Sequence, residues 1–167
     1  MRLFIALHFS AEIEEMLLEA IRQLREQATG GNFTRRENLH LTLAFIGESG
    51  RAAEIIQAMD RAPGQAFSLT VGGGGRFGDL YWVGVEQNPA LAALAAALRQ
   101  ELAQAGLDFD RKPFNPHITI ARQVAAAAPP RLEIPRLAMT VSRIALMKSE
   151  RAGGRLVYTE VYAKALS

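Results

Sequence analysis

Two copies of one short pattern, a histidine followed two residues later by a threonine, are the part of this sequence best suited to chemistry. The first copy contains His40 and Thr42, and the second contains His117 and Thr119. With 7 threonines and 3 histidines in 167 residues, two such pairs arise by chance in about one sequence in two hundred. Imidazoles titrate close to neutral pH, so one can accept a proton while the other donates one. The pattern therefore indicates general acid-base catalysis, with the threonine hydroxyls as hydrogen-bond donors.

Both copies lie in segments where apolar and polar residues alternate, which is typical of a strand. Residues 40–45 are His-Leu-Thr-Leu-Ala-Phe, and residues 117–122 are His-Ile-Thr-Ile-Ala-Arg. Side chains of a strand alternate between two faces, so the histidine and the threonine of each copy leave the same face. Two lobes that faced each other would line one cleft with two imidazoles and two hydroxyls.

Such a cleft has the groups that hydrolysis of a cyclic phosphodiester requires. The attacking water must lose a proton and the departing oxygen must gain one, while donors hold the non-bridging oxygens. Each well-placed proton transfer contributes roughly 10² to 10⁴ in rate. A single histidine on a strand is more often structural, and we interpret His8 in that way, with Ser10 as the cap of the following helix.

The rest of the sequence predicts an α+β fold of two similar lobes, each with a mainly antiparallel sheet lining the cleft and helices outside. Three amphipathic helices are predicted: one from Ser10 to near Gly30, one around Ile55 and Met59, and one from Pro89 to Gly106. Strands are predicted at 2–9, 67–71, 80–85, 136–149 and 156–166, besides the two His-x-Thr segments. We interpret the glycines at 72–78 as a hairpin turn and expect residues 1–167 to form a single domain.

Composition limits the remaining possibilities. The chain has no cysteine, which excludes disulfides, thiolate nucleophiles and cysteine-based metal sites, and it fits a reducing cytoplasm. No spacing typical of metal ligands is present, so we predict neither a metal nor a cofactor. The N-terminal apolar run is too short for a signal peptide or a membrane span. Net charge is +2, and 16 of the 19 cations are arginines, the residue best suited to binding phosphate.

Five segments of the sequence carry a family resemblance: MRLFIAL, ENLHLTLAFIGE, LYWVGV, FNPHITIAR and LMKSE, in this order along the chain. They resemble the bacterial and archaeal RNA 2',3'-cyclic phosphodiesterases, also called 2'-5' RNA ligases, of the two-histidine phosphoesterase superfamily. The resemblance implies a hydrolase that converts a 2',3'-cyclic phosphate end of a tRNA-like RNA or an oligoribonucleotide to a 2'-phosphate. It also implies reversible 2'-5' ligation without ATP, in a monomer with no protein partner.

The resemblance further implies roles for single residues. His40 would donate a proton to the leaving oxygen and His117 would accept one from water, while Thr42 and Thr119 contact the phosphate. Arg122 completes a family-like His-x-Thr-x-x-Arg pattern and is expected to bind phosphate, although strict alternation would place it on the apolar face.

Some features allow more than one interpretation. Phe77 and Arg76 are candidates for contacts with a base and a phosphate, and Phe77 is equally well a core residue. The pairs Arg35-Arg36 and Arg111-Lys112 precede the two His-x-Thr strands and are either cleft cations or parts of solvated loops. Two other functions stay open: a phosphodiesterase of the same superfamily acting on a small cyclic nucleotide or an ADP-ribose cyclic phosphate, and an RNA-binding module without turnover.

Overall fold

The computed structural model of the protein describes all residues from Met1 to Ser167. It has nine strands, three α-helices and one short 3-10 turn at Arg36–Asn38. The strands are β1 (Arg2–Leu7), β2 (Gly30–Phe33), β3 (Leu41–Glu48), β4 (Phe67–Phe77), β5 (Leu80–Val85), β6 (His117–Ala125), β7 (Leu137–Val141), β8 (Arg143–Ala152) and β9 (Arg155–Ala165). The helices are α1 (Ala11–Gln27), α2 (Ala52–Arg61) and α3 (Pro89–Gln104).

The strands form two antiparallel sheets, each of which contains one His-x-Thr segment. The first sheet has the order β3-β1-β8-β9, and the second has the order β2-β6-β5-β4-β7. One buried cluster of 35 residues includes members of both sheets and of all three helices. The predicted bilobed α+β fold is confirmed. No helix of the protein has the length and apolar character needed to cross a bilayer.

Local signals set where α1 and α3 begin: Ser10 and Pro89 do so as predicted, and Asn88 is a cap that was not predicted. Ser10 caps α1, since its hydroxyl accepts a hydrogen bond from the backbone N–H of Ile13 at 3.3 Å. Asn88 caps α3 in the same way through Leu91, and Pro89 takes the first helical position. The apolar stripe of α1 is buried as the spacing predicts, at Ile13, Met16, Leu17, Ala20, Ile21 and Leu24.

The strands of the structure differ from the prediction in three respects. The segment 136–149 is two strands, because the chain leaves the second sheet after Val141 and enters the first at Arg143. Strand β2 was not predicted, since its Gly-Gly-Asn-Phe sequence lacks an apolar alternation. Strand β1 is buried on both faces from Leu3 to Leu7, because Leu3, Ile5 and Leu7 belong to the main core while Phe4 and Ala6 pack with Ala145, Met147 and Tyr158 on the other face.

The glycine-rich segment is also not the predicted turn. Gly72 to Gly75 lie within β4, and the hairpin turns at Gly78 and Asp79 instead. A Cβ on Gly75 would lie 2.4 Å from the ring of Trp82, so the glycine allows the indole to lie directly on the strand. The segment that looks like a loop in sequence is therefore a strand whose missing side chains make room for a large neighbour.

Candidate active site

His40 lies directly before β3, where the chain leaves the 3-10 turn. Its Nδ1–H donates to the carbonyl oxygen of Asn38 at 2.8 Å, since a carbonyl only accepts. Nε2 therefore carries no proton and accepts a hydrogen bond from the hydroxyl of Thr42 at 2.9 Å. The rings of Phe4 and Tyr158 lie 4.9 and 5.3 Å from the imidazole, centroid to centroid. The backbone and two aromatic rings thus fix the orientation of His40.

His117 is the first residue of β6, and a hydrogen bond of the same kind fixes its ring. Its Nδ1–H donates to the carbonyl oxygen of Asn115 at 2.7 Å, again two residues earlier in the chain. The ring of Phe77 packs edge-on against it with centroids 5.5 Å apart. Both imidazoles therefore carry the proton on Nδ1 and present an unprotonated Nε2.

A β-bulge in β6 decides where Arg122 points. Thr119 and Ala121 pair with two consecutive residues of β5, so Ile120 between them has no partner and is the extra residue of the bulge. Ile120 and Ala121 are both fully buried, which shifts the alternation by one position. Arg122 consequently returns to the face of Thr119 and lines the cleft together with His40.

The first His-x-Thr strand contains the same bulge at the same place. Thr42 and Ala44 pair with adjacent residues of β1, so Leu43 is the extra residue, three positions after the histidine. Leu43 and Ala44 are fully buried, whereas Phe45 is 38% exposed and lines the cleft. Phe45 therefore occupies in the first copy the position that Arg122 occupies in the second.

The cleft favours the neutral form of His40. Burial is the main cause of a His40 pKa lowered to about 4; the bond to the Asn38 carbonyl acts in the opposite direction, and the positive charge of Arg122 adds to the lowering. His40 is therefore uncharged at neutral pH in the unliganded cleft. Thr119 and Arg122 line the cleft with His40, whereas His117 is not among the residues that line it.

The cleft has two arms that meet at His40. One arm, which we call the arginine cavity, has a volume of about 430 Å³. It is lined by part of β2, by Thr119, by the tip of the β8-β9 hairpin and by four arginines with no acidic residue among them: Arg35, Arg122, Arg151 and Arg155.

The other arm, which we call the aromatic cavity, has a volume of about 480 Å³. Its aromatic lining consists of Phe4, Phe45 and Tyr158, and it includes Thr42. The two cavities share five residues, His40, Arg122, Arg151, Leu156 and Tyr158. They are two arms of a single cleft, with the imidazole of His40 at the junction.

Arg76 is not brought to this cleft. It lines a separate cavity with Tyr81 and the segment 129–134. Phe77, the next residue of β4, faces the other way and contacts His117. Because neighbours in a strand point to opposite faces, the two residues cannot both border the histidines.

Two pairs of cations precede the His-x-Thr strands, Arg35-Arg36 and Arg111-Lys112. Among these four residues, Arg35 alone lines the cleft. Arg36 forms ion pairs with Glu14 and Glu15 of α1. The guanidinium of Arg111 stacks on the ring of Phe109. No group of three or more metal-ligating side chains comes together anywhere in the chain.

Sequence reasoning missed the arginines of the β8-β9 hairpin. Arg151 and Arg155 flank Gly153 and Gly154, whose φ angles of 58° and 77° form the tight turn. The signal was present as Arg-Ala-Gly-Gly-Arg. It predicts two cations at a hairpin tip, but it cannot tell that the tip reaches the cleft.

Known proteins resemble this chain over most of its length. The sequence pattern of the 2'-5' RNA ligase superfamily matches residues 13–153. A relative from Thermotoga maritima, named RNA 2',3'-cyclic phosphodiesterase, is 37% identical over 131 residues, which are 73% of this chain and 70% of the relative. A relative of the same name from Escherichia coli is 34% identical and covers 99% of this chain and 97% of its own.

The fold agrees with these likenesses. The crystal structure of Escherichia coli LigT complexed with 3'-AMP superposes with a TM-score of 0.84 at 30% sequence identity, over 99% of this chain and 98% of that one. A match over residues 13–153 and relatives more than 30% identical over most of the sequence mean that the protein belongs to the 2'-5' RNA ligase superfamily.

Proposed function

We propose that the protein hydrolyses the 2',3'-cyclic phosphate ends of RNA to 2'-phosphate ends, with His40 and His117 as the acid-base pair. The observation that carries the proposal is the matching geometry of the two His-x-Thr segments, each with its Nδ1–H bound by the carbonyl two residues earlier. Relatives named RNA 2',3'-cyclic phosphodiesterase, at 34% and 37% identity, support the choice of substrate. The absence of cysteine supports the cytoplasm as the place of this activity.

In the proposed reaction, water attacks phosphorus and the bond from phosphorus to the 3' oxygen breaks. One imidazole takes the proton of the water, and the other gives a proton to the 3' oxygen. The hydroxyls of Thr42 and Thr119 donate to the non-bridging oxygens, and the guanidinium of Arg122 offsets their charge. A 5'-hydroxyl that attacked in place of water would form a 2'-5' linkage, which accounts for the ligation implied by the family.

The proton donor in this scheme is His40, as the family resemblance implies. At neutral pH the unliganded cleft holds His40 uncharged, because burial lowers its pKa to about 4. A donor role therefore requires that the bound cyclic phosphate raise that pKa, which an anion within hydrogen-bonding distance does. His40 would then take up a proton from solvent when the substrate binds.

An oligoribonucleotide with a 2',3'-cyclic end tests this function. We expect a gain of one water in mass and a phosphorus resonance typical of a 2'-phosphate. Excess chelator in the assay keeps contaminating metal-dependent phosphodiesterases inactive. The double variant His40→Ala/His117→Ala is the matched control and should lose turnover, whereas a 3'-phosphate product or no turnover by the wild type would contradict the proposal.

Parallel assays separate the two other functions. Turnover of a small cyclic nucleotide or an ADP-ribose cyclic phosphate in preference to the RNA end would make the protein a different phosphodiesterase of the same superfamily. Saturable binding of the RNA end with no product would identify an RNA-binding module instead.

A further inference from the structure

The arginine cavity contains more positive charge than the proposed reaction uses. A 2',3'-cyclic phosphate carries one negative charge, and Arg122 lies next to His40 to meet it. Arg151 and Arg155 also line this cavity, and neither forms an ion pair or a side-chain hydrogen bond within the protein. Most other arginines are engaged: Arg22, Arg36, Arg51, Arg61, Arg136 and Arg143, for example, are each paired with a carboxylate.

The position of these arginines points to a linear ligand that extends from the reacting end. Arg151 and Arg155 lie on the two sides of the turn at the tip of the β8-β9 hairpin. Arg151 lines both cavities, whereas Arg155 lines only the arginine cavity. No carboxylate lines this cavity, so like charges face one another across it and favour an external anion. Because the cavity begins at His40 and Thr119, such an anion lies next to the scissile phosphate.

The aromatic cavity is less suitable for a second phosphate. Arg2, Arg122 and Arg151 line it, but so do Glu150, whose carboxylate would repel an anion, and the exposed ring of Phe45. An aromatic ring of this kind favours stacking with a base. The two arms thus differ in chemistry: the arginine cavity has four arginines and no carboxylate, whereas the aromatic cavity has three arginines, one carboxylate and three aromatic rings.

We propose that the arginine cavity binds the internal phosphodiester directly 5' to the terminal nucleoside, through Arg151 and Arg155. This inference rests on the proposed function and adds a determinant of specificity to it. The enzyme accordingly prefers an oligonucleotide end to a free cyclic mononucleotide. A bond between a guanidinium and a phosphate contributes about tenfold in affinity, so we expect a preference of roughly tenfold or more.

Two substrates that differ only in the internal phosphate test the proposal. One is the adenosine dinucleotide with a 2',3'-cyclic end, and the other is the same dinucleotide with a neutral methylphosphonate as internal linkage. Adenosine 2',3'-cyclic monophosphate is the reference. We expect the kcat/KM of the wild type to be highest on the charged dinucleotide and to fall roughly tenfold on the methylphosphonate.

The double variant Arg151→Gln/Arg155→Gln should abolish this difference. Its kcat/KM on the charged dinucleotide should fall to the value on the methylphosphonate, and that loss should exceed any loss on the mononucleotide. The matched control, Arg61→Gln/Arg131→Gln, removes two charges outside the cleft and should keep the wild-type ratio.

The outcomes separate the two proposals. No turnover of any of the three substrates by the wild type would refute the proposed function. Turnover of all three with equal efficiency, or equal losses on all three in the double variant, would refute the phosphodiester site and leave the function standing.

Discussion

His40 and His117 make the same backbone contact but lie in different surroundings. His40 is enclosed by the rings of Phe4 and Tyr158, whereas the one aromatic ring in contact with His117 is that of Phe77. Burial favours the neutral form of His40, so its readiness to donate depends on the charge of the substrate. The local motif therefore makes the two residues alike, and their neighbours decide how they differ.

The leaving group of the substrate can separate the two histidine roles. With a cyclic phosphate, both His40→Ala and His117→Ala should lower kcat by roughly 10² to 10⁴, since each removes a proton transfer. With a nitrophenyl phosphodiester the leaving group departs without a proton, so the loss in His40→Ala should shrink while that in His117→Ala persists. Steady-state kinetics on both substrates give the comparison.

His8→Ala is the control, since His8 lies outside the proposed pair and should keep near wild-type activity on both substrates. A larger loss for His117→Ala on the cyclic phosphate than on the nitrophenyl substrate, with the opposite behaviour for His40→Ala, would reverse the assigned roles.

At the scale of elements, a bulge in each His-x-Thr strand brings a third side chain to the cleft face that simple alternation would place on the apolar face. A bulge buries two consecutive apolar residues, Ile120 and Ala121 in β6, and turns the following side chain back to the cleft. In β6 that side chain is Arg122, and in β3 it is Phe45. The same backbone irregularity, present in both strands, gives the cleft a cation that lines both arms and an aromatic ring that lines the aromatic cavity.

The glycines of β4 should affect the site through Trp82. Gly75→Ala would place a methyl group against the indole of Trp82, which packs on Phe77 and through it on His117. We expect a loss of about 1 to 3 kcal/mol in unfolding free energy, the usual cost of overpacking, and a lower kcat. Urea denaturation, followed by the fluorescence of the single tryptophan, measures the first effect directly.

The control is Gly50→Ala, because a Cβ at Gly50 meets no atom within 4 Å. It should change stability by less than about 0.5 kcal/mol. Equal stability and unchanged fluorescence in Gly75→Ala would show that Trp82 can move without consequence.

At the scale of the whole molecule, the cleft depends on how the chain shares its strands between the sheets. Residues 1–48 supply β1 and β3 to the first sheet and β2 to the second, and β7 and β8 are again divided between them. The buried cluster of 35 residues joins both sheets. Opening the cleft would therefore disturb the common core, so we expect unfolding to involve both sheets together.

The buried imidazole of His40 should make stability depend on pH. Its pKa is about 4 in the folded protein and near 6.5 when unfolded, so between these values the unfolded chain binds the proton more readily. Stability is full above pH 6.5 and falls as the pH drops towards 4, by about 2 kcal/mol from pH 7 to pH 5.

Urea denaturation of the wild type and of His40→Gln at both pH values checks this expectation. In the variant, the decrease in unfolding free energy between pH 7 and pH 5 should be much smaller than in the wild type. A small decrease should remain because burial also lowers the pKa of His8. Equal decreases in both proteins would contradict the assignment to His40.

The sequence by itself determined what depends on neighbouring residues. Ser10 and Asn88 cap their helices, and the apolar stripe of α1 is buried, because caps and helical periodicity act over three or four residues. The two His-x-Thr pairs were likewise readable, since i and i+2 on a strand share a face. The fold class followed from these local elements and from the family resemblance.

Only the tertiary structure decided what depends on residues far apart in the chain. The bulge that returns Arg122 to the cleft is set by pairing with β5, and the value of Arg151 and Arg155 is set by where a hairpin tip lies relative to His40. The side chains of Arg76 and Phe77 point in opposite directions because successive residues of β4 lie on opposite faces of the sheet. The low pKa of His40 arises from burial by Phe4 and Tyr158 among others. Burial, register and electric fields are sums over the folded chain, so no local pattern encodes them.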